Sequence, residues 1–258
     1  MTKNVSKFSF IVMITLLLAF ALSGTSFASI VTWSQPVDTS ANVYDVDSYS
    51  DNSGTFVQLA ADDWECIDGT QDITGINWWG SYSEYYGSAP QFSTSIVDFT
   101  IDIYSDGGTQ PGGTYTEMGT YTISNIEETY CDLSKGTRES VFKYRVNFDN
   151  TFNQSEKVTY WIAIMATLNS SPAYDWGWST TNPANNWGDP AVTTSDFANW
   201  VPQSYPTGHF YQGQDVNMAF ELLSAGEEVP EPATMMLLGS LATGLFGFAG
   251  LRKRFSKR

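Results

Sequence analysis

Nine tryptophans and 14 tyrosines are the side chains of this sequence best suited to touching a ligand. Trp78 and Trp79 are adjacent, so on an extended strand they point to opposite faces. One belongs to a core, and Trp79 with the nearby Tyr82, Tyr85 and Tyr86 makes a candidate platform. Trp176 and Trp178 flank Gly177 and fall on one face if that segment is extended, with Trp187 following in the same stretch. Exposed Trp and Tyr rings stack on the apolar faces of sugars, and neighbouring Asp and Asn bond the hydroxyls. Trp79, Tyr82, Trp176, Trp178 and Trp187 are therefore glycan-binding candidates. The competing reading is core packing, since large aromatics usually bury most of their area, and both readings stay open.

The acids offer less. Asp45 and Asp47, with Asp51 close behind, resemble a loose Ca²⁺ loop. Calcium takes six to eight oxygens, and the EF-hand pattern fails because the third acid and the glycine are misplaced. Asp62, Asp63 and Glu65 form a second cluster that reads equally well as solvated turn chemistry. A structural Ca²⁺ is the one cofactor the composition leaves room for. One histidine, His209, and two cysteines leave no His-rich or Cys-rich metal site. No Gly-x-Ser-x-Gly elbow is present, nothing near His209 points to a nucleophile, and no phosphate-cradling Gly loop precedes a helix. With 28 acids, some pair meets glycosidase spacing by chance, so that test has no force. No catalytic residue is expected.

Charge is unevenly placed. All 28 acids lie between Asp38 and Glu231, with only Lys135, Arg138, Lys143, Arg145 and Lys157 among them. The other seven bases sit at the two ends, and the net charge is −16. Such a body repels phosphate backbones, which excludes nucleic-acid partners.

The ends read as addresses. Residues 1–28 have a cationic start (Lys3, Lys7), an apolar run from Phe8 to Leu22 and Ser26-Phe27-Ala28 as a cleavage site. They predict a signal peptide handled by the Sec machinery and signal peptidase, with the mature chain starting at Ser29. At the other end, Val229-Pro230-Glu231-Pro232 precedes an uncharged stretch, Ala233 to Leu251. As a helix that stretch spans about 28 Å, enough for one transmembrane crossing. Arg252, Lys253 and Arg254 open a basic tail, residues 252–258, that stays cytoplasmic by the positive-inside rule. Residues 229–258 thus resemble the PEP-CTERM sorting signal of Gram-negative bacteria. The resemblance implies an exosortase as partner, removal of the tail near the Pro-Glu-Pro motif, and company with exopolysaccharide, biofilm or floc.

Between the addresses, residues 29–228 read as one acidic β domain. Val97, Phe99, Ile101 and Ile103 alternate with Asp98, Thr100, Asp102 and Tyr104, a strand with a wet acidic face. Phe142, Tyr144, Val146 and Phe148 alternate with Lys143, Arg145 and Asn147, and Val216, Met218, Phe220 and Leu222 repeat the pattern. Val158 to Ala166 is apolar on both faces and predicts a central strand. Residues 74–82 and 114–124 complete the strand set, and Gly- and Pro-bearing turns such as Asp106-Gly107-Gly108 separate them. The expected fold is all-β, an antiparallel sandwich of jelly-roll type. Cys66 and Cys131 form an even pair in an exported body and predict a disulfide. It would close a loop of about 66 residues and stabilise by roughly 4 kcal/mol. The segments WSQPVD (33–38), LAADDWEC (59–66), INWWGSY (76–82), YWIAIMA (160–166) and DWGWST (175–180) resemble an uncharacterised domain of secreted bacterial proteins. That resemblance implies a β-sandwich and no assigned activity.

The expected function is a non-enzymatic surface or extracellular-matrix protein, processed by exosortase and associated with exopolysaccharide, transiently anchored in the inner membrane. A secreted carbohydrate-binding module is the alternative. A glycoside hydrolase or lyase is the weaker one.

Overall fold

The computed structural model describes residues 27–40, 43–51, 56–66, 72–133, 139–170 and 172–228. The expected signal peptide up to residue 26 and the whole sorting tail, including Val229, Pro230, Glu231, Pro232, Arg252, Lys253 and Arg254, lie outside them. One compact unit, Ile30–Ala225, carries both sheets. The other, Met1–Ser29 with Gly226–Arg258, lies almost wholly outside the described residues. Among the described residues no helix is long and apolar enough to cross a membrane.

Among the described residues fourteen strands, numbered along the chain, form two seven-stranded sheets. The first sheet is centred on β5 (Ile73–Tyr82). On one side β5 pairs with β9 (Val141–Phe152), which carries β8 (Glu127–Cys131). On the other side β14 (Phe220–Glu228) and β11 (Trp176–Ser179) share its length. The edges are β1 (Phe27–Gln35) on β14 and β2 (Asp45–Asp47) on β11. In the second sheet β10 (Thr159–Leu168) is central, between β6 (Ile96–Asp106) and β4 (Phe56–Glu65). β7 (Pro111–Thr122) forms one edge on β6, while β12 (Val192–Thr194) and β13 (Val201–Pro202) close the other on β4. The short β3 (Tyr49–Ser50) inserts beside β10 in parallel, so the sheet is not antiparallel throughout.

Period-2 patterning explains the sandwich. Phe99, Ile101 and Ile103 of β6, Ile162 and Ile164 of β10, and Phe142, Tyr144 and Val146 of β9 all enter one core between the sheets. Aromatics fill its centre. Trp78 stacks on Tyr144 with centroids 5.4 Å apart, and Phe99 meets Trp78 at 5.2 Å and Trp176 at 4.9 Å, both edge-on. The Trp176 indole lies flat over Gly80, where any Cβ would land on the ring. Helical structure among the described residues is limited to one turn at Phe92–Ser95 and a 3₁₀ turn at Pro183–Asn185.

The β6–β7 hairpin carries two irregularities, between Ile101 and Asp102 and between Tyr104 and Asp106, and the first sets the outer face. Ile101 pairs with Gly119 and Asp102 with Glu117, so Met118 is an extra residue and Gly119 takes φ +140, a backbone geometry suited to glycine. Met118 turns into the core.

The expected disulfide is not formed. Both cysteines are thiols: Cys66 follows β4 in the second sheet, and Cys131 ends β8 in the first. Each is fixed by its own sheet, with the Cys66 amide on Val158 O (3.3 Å) and Cys131 paired to Val141. A bridge needs Cα atoms within about 7 Å and convergent Cβ vectors, and the two cysteines are held by different sheets, each with its own register.

Candidate functional site

Four of the five aromatic candidates are in the interior. Trp176 and Trp178 do share a face, as the spacing requires, but it is the inner one: β11 sits between β5 and β2, and both indoles are fully buried. The Trp178 Nε1 donates to Ala219 O at 2.9 Å. Tyr82 is also fully buried and donates its hydroxyl to Glu128, which accepts Tyr144 as well at 3.0 Å. Trp79 does point away from the main core, yet it is only 7% exposed. Val37, Val141 and Ala219 cover it, and the Lys143 ammonium sits 4.7 Å above its ring. Trp187 is half-buried, edge-on to Trp33 at 4.8 Å. Trp79, Tyr82, Trp176 and Trp178 cannot present a flat platform because the packing that orders them also covers them.

The calcium candidates divide. Asp45 and Asp47 line a cleft of about 220 Å³ with Tyr44, Ser81, Glu139 and Asp175. Asp51 is not on its wall. The Asp45 carboxylate is already engaged, by the hydroxyls of Ser81 (2.7 Å) and Ser179. Burial, with Asp175 and Glu139, pushes the Asp47 carboxyl above the usual carboxylate range. Among the described residues no three His, Cys, Asp or Glu side chains converge as metal ligands, so the Asp45, Asp47 and Asp51 set is not assembled.

The outer face of the second sheet holds the arrangement that sequence reasoning missed. Residues of β6 that alternate with the core positions face outward, and the register sets three of them opposite a like partner on β7. Thr100 faces Thr120, Asp102 faces Glu117, and Tyr104 faces Tyr115. The hydroxyls of the threonine pair are 3.2 Å apart. The tyrosine rings are 5.4 Å apart at 31°, with Tyr115 57% exposed. Three rows thus follow one another along the ribbon, hydroxyl, carboxylate and aromatic, each about 7 Å from the next.

The platform is flanked by two indoles. Trp161 of β10, level with Tyr104, is fully buried under an outer cluster of Leu59, Ala61, Ala163 and Val192. Its indole Nε1 donates to Asp106 at 3.2 Å. Trp200 packs edge-on against Tyr104 at 6.0 Å. The turn that delivers Trp200 is organised by Asp196. That carboxylate accepts the amides of Asn199 (2.8 Å) and Ala198 (2.9 Å) and the Thr194 hydroxyl (3.0 Å). These bonds hold its pKa well below the usual carboxylate range.

The carboxylate row is under electrostatic load. Like charges directly opposite on a sheet are destabilising. Burial, and then Glu117, push the Asp102 carboxyl up to about 6. Its Oδ1 is closed off from solvent and accepts no hydrogen bond. Burial and then Asp102 also raise the Tyr104 hydroxyl. Such a face can stack flat apolar surfaces on its rings and accept hydrogen bonds or positive charge at its carboxylates. One signal for it is present in the sequence, the wet acidic alternation of Asp98, Thr100, Asp102 and Tyr104.

Among solved structures, the chain is similar to a CBM3a-L domain with flanking linkers from the scaffoldin CipA of the Clostridium thermocellum cellulosome. The identity is 15%, the match covers 77% of this chain and 95% of that one, and the TM-score is 0.27. No curated protein matches it. A family profile described as a domain of unknown function, DUF7901, matches residues 31–223, from within β1 to within β14, and the chain belongs to that family.

Proposed function

We propose that this is an exported, non-catalytic polysaccharide-binding protein whose glycan interface is the outer face of the second sheet. The observation that carries the reading is the ring pair of half-buried Tyr104 and exposed Tyr115, aligned along β6–β7 with the Asp102–Glu117 and Thr100–Thr120 pairs. Aromatic faces supply sugar stacking, and the carboxylates and hydroxyls supply orientation. The binding residues differ from those expected from sequence, but the chemistry is the same.

Export rests on the sequence alone: the signal peptide of residues 1–28 and the resemblance of residues 229–258 to an exosortase-processed tail. Glycan binding would retain the released body in an extracellular polysaccharide layer, which joins the matrix and carbohydrate-binding readings into one.

Hydrolysis fits this face less well. A glycosidase sets its two carboxyls on either side of the scissile bond, whereas Asp102 and Glu117 project side by side from an open sheet. The test is calorimetric titration of the full chain with a panel of hexasaccharides. Saturable binding abolished by Tyr115→Ala supports the reading. Cleavage of a hexasaccharide, lost in Asp102→Asn, would replace it with the hydrolase.

A further inference from the structure

The second sheet has a charge pattern that narrows the ligand. Its seven strands contain seven acidic residues, Asp62 and Asp63 buried and Glu65, Asp98, Asp102, Asp106 and Glu117 at least partly exposed, and no Lys, Arg or His. The first sheet differs. There Glu221 is neutralised by Lys143 at 3.2 Å and also accepts Asn77 at 2.9 Å. No cation among the described residues stands within ion-pair distance of Asp102 or Glu117. From β10 only Trp161, Ala163 and Met165 approach the row, and none of them carries charge.

We infer that the interface selects an amine-bearing glycan, a polymer of glucosamine-type residues, whose ammonium groups sit against Asp102 and Glu117 while a neighbouring ring stacks on Tyr115. This rests on the glycan-binding reading of the same face. Uronate, sulfate or phosphate polymers meet a field of their own sign, with no base on the sheet to receive them. A neutral glycan leaves the Asp102–Glu117 repulsion in place. An ammonium relieves it, bringing one point charge with three donors beside the two carboxylates. A bare divalent cation is poorly served by two carboxylates on an open face. A lysine-rich peptide would match the charge, but the rows from Asp98 to Tyr104 extend about 20 Å in a straight line. That geometry suits a stiff polymer of flat rings better than a flexible chain, which loses more entropy on ordering.

The test titrates the full-length chain at near-neutral pH and physiological salt with four probes: glucosamine hexamer, N-acetylglucosamine hexamer, cellohexaose and hexalysine. The expected result is glucosamine hexamer bound about tenfold or more tighter than the other three. Asp102→Asn/Glu117→Gln should erase that preference. Asp149→Asn/Asp215→Asn, which removes the same charge elsewhere, should keep it. Neutral hexamers bound as tightly as glucosamine hexamer, still dependent on Tyr115, would overturn the amine preference and leave glycan binding standing. Hexalysine bound equally or more tightly would overturn it in favour of a basic peptide. Absence of binding to every sugar would overturn both readings.

Discussion

The Asp62 carboxylate accepts the backbone amide of Met218 at 2.7 Å, tying β4 of the second sheet to the segment that enters β14 of the first. Gln35 Nε2 reaches the same oxygen at 3.1 Å, and the Asp63 amide reaches the other at 3.0 Å. Asp62 has no exposed surface. Its truncation would strand those donors in a dry interior. Asp62→Ala is expected to cost about 2–4 kcal/mol, which lowers the midpoint of a thermal melt by roughly 10 °C. Asp62→Asn, which keeps one acceptor, should lose less.

Stability should rise as pH falls from about 8 to 5. Burial pushes Asp63 up to about 7 against the bond from the Asp189 amide, and burial with Glu117 pushes Asp102 up to about 6. A carboxyl whose pKa is higher folded than unfolded binds more protons in the native state. Its stabilisation is therefore complete below the unfolded value near 4 and is lost as pH rises through 6 to 7. Self-repulsion of the net negative chain has the same sign. Asp63→Asn separates the two, because it should flatten the pH dependence of chemical denaturation and raise stability at pH 8. An unchanged slope would refute the assignment.

Trp176→Ala and Trp178→Ala should each destabilise by about 3–5 kcal/mol through cavity formation, and Gly80→Ala should damage the same packing by collision with the Trp176 ring. Tyr115→Ala removes a ring more than half exposed and should change stability by under about 0.5 kcal/mol. Parallel urea denaturation and hexasaccharide titration distinguish the two classes: the first loses fold, the second loses ligand.

Thiol titration of protein prepared without reductant should find two reactive sulfurs per chain once unfolded, and intact mass should show no loss of two hydrogens. In the folded state Cys66 is buried and should react slowly. Burial also pushes the Cys131 thiol up, so it too should react sluggishly near neutral pH.

Much of the fold is legible in local pattern. The alternations around Phe99 and Tyr144 place β6 and β9, the one from Val216 to Leu222 overlaps only the first three residues of β14, and the doubly apolar run through Trp161 and Ile164 identifies the central β10. What alternation leaves open is which face meets the core. Trp176 and Trp178 are correctly assigned to one face, but only the pairing of β11 between β5 and β2 shows that face to be interior. The two cysteines look like a bridge because sequence carries no information about which sheet each strand joins. The Tyr104–Tyr115 pair lies within a single hairpin, so its partners are near in sequence. Its register, however, is fixed by the irregularity at Met118, which composition does not announce.

That irregularity decides the character of the ribbon N-terminal to it on β7. With regular pairing, Met118, Thr116 and Thr114 would project outward, and Glu117 and Tyr115 would turn beneath. The extra residue reverses that parity, so the chemistry this surface offers is governed by backbone phase as well as by side-chain identity. A homologue that retained every one of these side chains but paired its hairpin without the kink would display a bland methionine-and-threonine strip in their place.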